Sequence, residues 1–211
     1  MVSRCLFAGI VLLLTSLVSI AQEGKLSYQA LLEKLNHADT KLDFKALRLA
    51  YAGTSQYNPY DSGREVHAAI LNALREKKYE QCLSHVDRAL QKNYVDITVH
   101  YAAHRCHTEL KNRDKARFHH QIFDGLLKSI LSSGDGKSPA SAYVVISPEE
   151  EYAVLTFCGL RQISQAAVKE NGHSYDRIIA QEDNGTKEYH VYFNTDLPLA
   201  WLRTGLERRN K

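Results

Sequence analysis

The chain has 211 residues, a formal charge of +3, 44% hydrophobic residues and only four prolines. That composition excludes disordered, collagen-like and low-complexity chains. A charge this close to balance gives no reason to expect binding to nucleic acid or to a membrane surface.

Met1 to Ala21 has the layout of a secretory signal peptide. Arg4 supplies the basic start, and Leu6 to Ile20 is almost wholly apolar. Ser19-Ile20-Ala21 then offers small residues at the cleavage positions, so Gln22 is expected to start the mature chain. The apolar run is shorter than the roughly 20 residues a membrane-spanning helix needs. Cys5 lies before that run and not at the cleavage point, which excludes a lipoprotein signal. A periplasmic or secreted protein with no membrane span after cleavage is the expectation. The 190 mature residues would carry +2, because Arg4 is the sole charge lost. That length suits one ordinary domain or two small ones.

Three cysteines remain: Cys82, Cys106 and Cys158. An odd count outside the cytoplasm leaves a free thiol or an intermolecular bridge. Cys82 and Cys106 fall on consecutive expected helices, so a disulfide between them is one reading. Small buried apolar residues are the other.

In chain order, Ser27 to Ala38 reads as a helix capped by Ser27, with Leu31, Leu32 and Leu35 on one stripe. Leu42 to Ala52 is a second, with Phe44, Leu47 and Tyr51 in helical spacing. Tyr57-Asn58-Pro59-Tyr60-Asp61-Ser62-Gly63 is a loop. Its two tyrosines are candidates either for ligand contact or for covering neighbouring helices. Helices follow over about 64–77, 79–92, 95–110 and 113–131. Cys82 and Ala116, like Ala89 and Phe123, are 34 residues apart, the period of tetratricopeptide hairpins. The Trp and Leu-Gly of that repeat are missing, so the expectation is two degenerate hairpins.

Residues 132–139 form a Gly/Ser/Pro linker. A short strand over Tyr143–Ser147 comes next. Pro148 then opens a helix whose Glu149, Glu150 and Glu151 suit its positive end, and Gly159 stops it after Cys158. Strand-like runs at 160–169, 174–182 and 186–193 are separated by Asn171-Gly172 and Asn184-Gly185, both hairpin signals. A last helix spans Leu197–Leu206, with Asp196 as its cap. The expected fold is therefore α+β: helical hairpins over 22–131, then an antiparallel three- to four-stranded sheet with two helices over 132–211, packed as one unit.

Several blocks resemble a known family in order along the chain. They are Asp43-Phe44-Lys45-Ala46-Leu47-Arg48-Leu49-Ala50-Tyr51, Tyr57-Asn58-Pro59-Tyr60, Ile122-Phe123-Asp124-Gly125-Leu126-Leu127 and the linker Ser133–Pro139. Glu150-Glu151-Tyr152, Asn171-Gly172-His173-Ser174-Tyr175-Asp176 and Tyr192-Phe193-Asn194-Thr195-Asp196-Leu197-Pro198 complete the set. The family is a bacterial one, domain of unknown function 4919, and the likeness spans about residues 40 to 205. The resemblance implies an exported protein and supplies no activity. His100-Tyr101 and His119 fit its pattern. His104, Cys106 and His107 depart from it, so a site built on those three would be private to this chain.

Three constellations carry candidate chemistry. His100, His104 and His107 share one helical face, with His119 and His120 on the next helix, which makes a weak metal candidate against a plain polar stripe. No carboxylate partner or His-Glu-x-x-His motif supports it, and no cofactor is expected. Gly134-Asp135-Gly136-Lys137-Ser138 ends like a phosphate-binding loop, but Leu131 stands where glycine is needed and a helix precedes it, so a linker explains it. The third is a dispersed acid–base set: His100, His119, Asp124, Asp135, Glu151, His173 and Asp176. Asn184-Gly185-Thr186 matches a glycosylation signal, although the hairpin turn accounts for it better.

Two functions follow. One is a non-enzymatic binding or scaffold module whose hairpin surface holds a peptide or protein segment. The other is a small exported enzyme, hydrolase-like, with its acid–base site where the helical half meets the sheet. Asp135, Glu151 and His173 would feed the enzyme site, and Tyr57, Tyr60, Asp135 and His173 are the binding candidates. The seam between the halves is the expected location, the alternative being that its polar groups only fasten the halves together.

Overall fold

The computed structural model describes residues 27–36, 42–61, 63–182 and 185–209. The signal-like segment, residues 37 and 38 of the first expected helix, and Asn184 lie outside them. The chain is α+β, with eight helices and one four-stranded mixed sheet among the described residues. None of these helices is long and apolar enough to cross a membrane.

Helix α1 spans Tyr28–Asn36 and α2 spans Phe44–Ala52. The Ser27 hydroxyl accepts from the Ala30 amide at 3.2 Å and Asp43 accepts from the Ala46 amide at 2.9 Å. Each helix thus opens on a side chain that satisfies an otherwise orphaned donor. Four longer helices follow: α3 (Arg64–Arg75), α4 (Tyr79–Lys92), α5 (Ile97–Glu109) and α6 (Arg113–Leu131). α3 ends in a left-handed residue, Lys77, and α5 in another, Lys111. At the first turn the Lys78 amide reaches the Ala73 carbonyl; at the second the Asn112 amide reaches that of His107. Both are six-residue closures that end a helix and turn the chain back.

The linker after α6 is a tight knot. A β-carbon on Gly134 would sit 2.2 Å from the Ser141 carbonyl oxygen, so no larger residue fits there. Strand β1 (Tyr143–Val144) leads to α7 (Pro148–Phe157), then β2 (Leu160–Glu170), β3 (His173–Glu182), β4 (Glu188–Asn194) and α8 (Asp196–Arg209). Asn171 and Gly172 both take positive φ, the backbone of a tight hairpin.

The sheet order is β1-β4-β3-β2. β2–β3 and β3–β4 are antiparallel, but β1 runs parallel to β4. This corrects the expectation of an antiparallel sheet. Short turns force antiparallel neighbours only where they connect strands directly, and β1 reaches β4 through α7 and two strands. The strand expected over 143–147 is also shorter. Only Tyr143 and Val144 have ladder partners, and the Ile146 amide donates instead to the Glu150 carboxylate at 2.8 Å.

Two apolar cores form. The larger gathers Leu31, Leu47 and Tyr51 from the first helices, Ile122, Leu126 and Ile130 from α6, and Val154, Ile178 and Phe193 from the C-terminal part. The smaller lies wholly within α3–α5, around Ile70, Val86, Val99 and Ala103. Cys82 and Cys106 are joined by a disulfide inside the smaller core. Cys158 is free and exposed.

Candidate functional site

The run Glu149-Glu150-Glu151 occupies the first turn of α7, where helix geometry sends three successive side chains in three directions. Each carboxyl meets a different environment. Together they organise the seam between the helices and the sheet.

Glu150 enters a buried ion pair. The Arg48 guanidinium, 1% exposed, donates to its two oxygens at 2.7 and 2.5 Å. Its remaining donors reach the Ser129 hydroxyl at 3.2 Å and the Val144 carbonyl at 3.0 Å. α2, α6, α7 and β1 are therefore tied at one guanidinium, and the fork geometry explains why arginine serves there.

Glu149 faces a cleft of about 100 Å³ between the helices and α7, lined also by Tyr57, Asn58, His67, Asp96 and Ser147. His67 and Asp96 meet at 2.7 Å, while the other Asp96 oxygen caps α5 through the Val99 amide at 3.0 Å. The Asp96 bond raises the His67 pKa, and burial raises that of Glu149. Tyr57 is not an exposed contact residue: it is 5% exposed and its hydroxyl donates to the Ile146 carbonyl at 2.5 Å. Proline-directed loop geometry turns its ring into the larger core.

Glu151 lines a second cleft, of about 140 Å³, with Tyr60, Pro148, Asp176 and residues of β2 and α8. Its side chain is fully buried and its Oε1 has no hydrogen-bond partner. Gln165 bridges the acids, its amide nitrogen lying 2.8 Å from Asp176 Oδ2 and 3.5 Å from Glu151 Oε2. Burial, then the neighbouring Asp176 charge, pushes the Glu151 carboxyl up to about 9. Burial also raises Asp176, against the Gln165 bond. A neutral acid beside a carboxylate is able to donate and accept a proton at one spot. β3 places Asp176 on the same sheet face as Ile178 and Ala180, opposite Ala167 of β2 and Phe193 of β4.

The other expected site residues scatter. Asp135 is an exposed turn residue that accepts from the Ser141 hydroxyl at 2.6 Å and the Lys137 amide at 3.0 Å, bonds that hold its carboxyl low. His173 pairs with Asp196 at 2.6 Å and fastens β3 to the start of α8. Asp124 pairs with Lys128 on the outer face of α6. Of the readings for the histidine stripe other than a metal, solvated or hydrogen-bonded imidazoles, His100 and His104 take the second. His100 is fully buried between the Tyr94 carbonyl at 2.9 Å and His119 at 3.0 Å. His104 is bonded to the Ala116 carbonyl at 3.0 Å and stacks on His120, while His107 stacks on His119. The imidazoles pack α5 on α6, and no group of three or more His, Cys, Asp or Glu among the described residues is arranged to hold a metal.

The seam thus brings together Tyr60, Glu151 and Asp176 from the expected set. Sequence reasoning missed Arg48, His67, Asp96, Glu149 and Gln165 as seam residues. One signal existed for the burial of two seam carboxyls. Glu150 and Glu151 precede Val154 and Leu155 at helical spacing, which puts acids on a buried face.

The model of the family domain of unknown function 4919 matches residues 19–202. The chain belongs to that family. No curated protein and no solved structure matches it.

Proposed function

We propose that this member of the family is an exported, non-catalytic binding module whose ligand site lies at the seam. In this reading the segment through Ala21 is removed on export, α3–α4 and α5–α6 are degenerate tetratricopeptide-like hairpins, and a peptide or protein segment is the partner. The hairpin reading is supported by Lys77 and Lys111. They stand 34 residues apart, both left-handed, each followed by the same helix-closing bond.

One observation carries the binding reading. Glu151 is a fully buried carboxyl with an oxygen lacking any partner, at the wall of a cleft. Buried polar groups are nearly always paired, and one left open at a cleft is suited to a group brought from outside. The test is a titration of isotope-labelled protein with pooled peptides, followed by amide NMR. Shifts are expected around Tyr60, Glu151, Gln165 and Asp176, and Glu151→Gln should weaken the binding at pH 8 without lowering Tm. Shifts confined to the outer faces of α3 and α4, or none from any pool, would count against it.

A second reading, a hydrolase-like enzyme, is favoured by the Glu151–Asp176 pair itself, a neutral acid next to a carboxylate. Mass spectrometry of the same pools after incubation separates the two. Cleaved products that disappear in both Glu151→Gln and Asp176→Asn would select the enzyme.

A further inference from the structure

The geometry points to a primary ammonium group on an unbranched aliphatic arm, the form of a lysine side chain, as the group received by the Glu151–Asp176 cleft. This deepens the binding reading and rests on it.

The floor of the cleft is a set of acceptors. Asp176 and Glu151 present carboxyl oxygens, and Glu151 Oε1 stands unpartnered. The chain's own nitrogen donor already spans the two acids: the Gln165 amide reaches Asp176 Oδ2 at 2.8 Å and approaches Glu151 Oε2 at 3.5 Å. An ammonium carries three donors where an amide carries two, so it is able to hold both acids and also meet Oε1. The walls are apolar, from Pro148, Ala167, Tyr175, Pro198 and Leu199. The space, about 140 Å³, has room for a side chain.

Other cations fit less well. Calcium takes six to eight oxygens, and only two carboxyls line this cleft. A guanidinium prefers two parallel bonds to one carboxylate, as Arg48 makes to Glu150 nearby. Here the two acids stand on different elements and offer single contacts. Neither forms an ion pair with a Lys or Arg among the described residues.

Glu151 is faced by Asp176 from β3, Gln165 from β2 and Tyr60 from the loop after α2. Glu149, Glu150 and Tyr152 neighbour it on α7, and the exposed Lys169 stands at the rim. Its proton is held by burial and by these acids. An arriving ammonium replaces that proton, which leaves to solvent as the carboxylate forms. Binding therefore releases one proton, and affinity rises about tenfold per pH unit up to about 9.

The experiment titrates the full protein with n-butylammonium, with N-acetyl-lysine methylamide and with neutral n-butanol. Amide NMR reports the location, and calorimetry in two buffers of different ionisation enthalpy reports the proton. Both ammonium probes should shift Glu151, Gln165 and Asp176 with a Kd falling about a hundredfold from pH 6 to pH 8, and n-butanol should not. Tighter binding of the lysine probe assigns a peptide as source, and tighter binding of n-butylammonium a free amine. Glu151→Gln should remove the pH dependence, and Asp176→Asn should weaken binding at least tenfold. Ala167→Leu, which leaves both acids in place and fills the cleft, should block it. Equal binding of n-butanol, or affinity independent of pH, would overturn the ammonium assignment while leaving the binding reading intact. Absence of cleft shifts with either ammonium probe overturns the assignment as well, and the peptide titration then decides the binding reading by itself.

Discussion

His100 and His119 share a hydrogen bond whose direction is fixed by a third group. The Tyr94 carbonyl can only accept, so His100 donates from Nε2 and its Nδ1 is left as acceptor for the His119 Nδ1–H. Both rings are neutral. Burial lowers His100 to about 4 and His119 to about 3. The unfolded chain takes up these protons near pH 6.5 and the folded chain does not, so stability falls as pH drops below 6.5, by up to about 1.4 kcal/mol per unit for each ring. Glu151 acts in the opposite sense. The unfolded chain ionises it near pH 4.5 and the folded chain only near 9, so its effect is a loss of stability as pH rises between those values. His67, raised by its bond to Asp96, adds to that fall above pH 6.5. Thermal melts across pH should show a maximum near pH 6.5, and Glu151→Gln should flatten the alkaline side and steepen the acid side between about pH 4.5 and 6.5. A variant that melts with the same alkaline slope as the parent would mean that Glu151 is ionised in the folded protein.

At the scale of elements, the two helix-closing turns each force a lysine into left-handed backbone, with φ of 58° at Lys77 and 60° at Lys111. That conformation costs an ordinary residue about 1–2 kcal/mol, and glycine adopts it freely at some cost in unfolded-state entropy. Both side chains are exposed. Lys77→Gly and Lys111→Gly should each stabilise the protein by about 0.5–1 kcal/mol, read as a Tm rise of roughly 1–4 °C, and the two gains should add. The breaks at these turns were legible because helix periodicity stops there. The parallel β1–β4 pair was not, because alternation tells which face a residue takes and never which strand lies alongside. The Glu151 cleft was half legible. Its acids stand out in the sequence, but Gln165 reaches them only through the β2–β3 register, which shifts between Gln162 and Ser164. Asp96 was hidden differently: one oxygen does an N-cap's work, and the partner of the other comes from α3, remote in sequence.

For the whole molecule, the two cores are held by unlike devices. The larger is crossed by the Arg48–Glu150 pair, and the smaller is closed by the disulfide between α4 and α5. The disulfide links residues 24 apart, a loop for which chain entropy gives about 3 kcal/mol. Cys82→Ala/Cys106→Ala should lose roughly that much stability. Hydrogen exchange should speed up first in α3–α5, while α2, α6 and β3 keep their protection, since the smaller core draws on α3–α5 alone. Uniform loss of protection across both cores would show that they open as one unit.

The parallel pairing of β1 with β4 also sets an order of assembly. β2, β3 and β4 are successive neighbours joined by short turns, so they are able to zip from local nuclei. Tyr143 meets Phe193 only after the 49 intervening residues have been gathered in. Two residues of ladder repay little of that closure, and β1 has no strand to pair with until β4 is in place. Docking of β1 is therefore expected late in folding. Because the same segment delivers the Val144 carbonyl to Arg48 and the Ile146 amide to Glu150, the buried charges at the seam acquire their last partners in that step. Without that segment the Arg48 guanidinium lacks one acceptor, so its arrival adds a charge-assisted bond to the little that two strand residues repay.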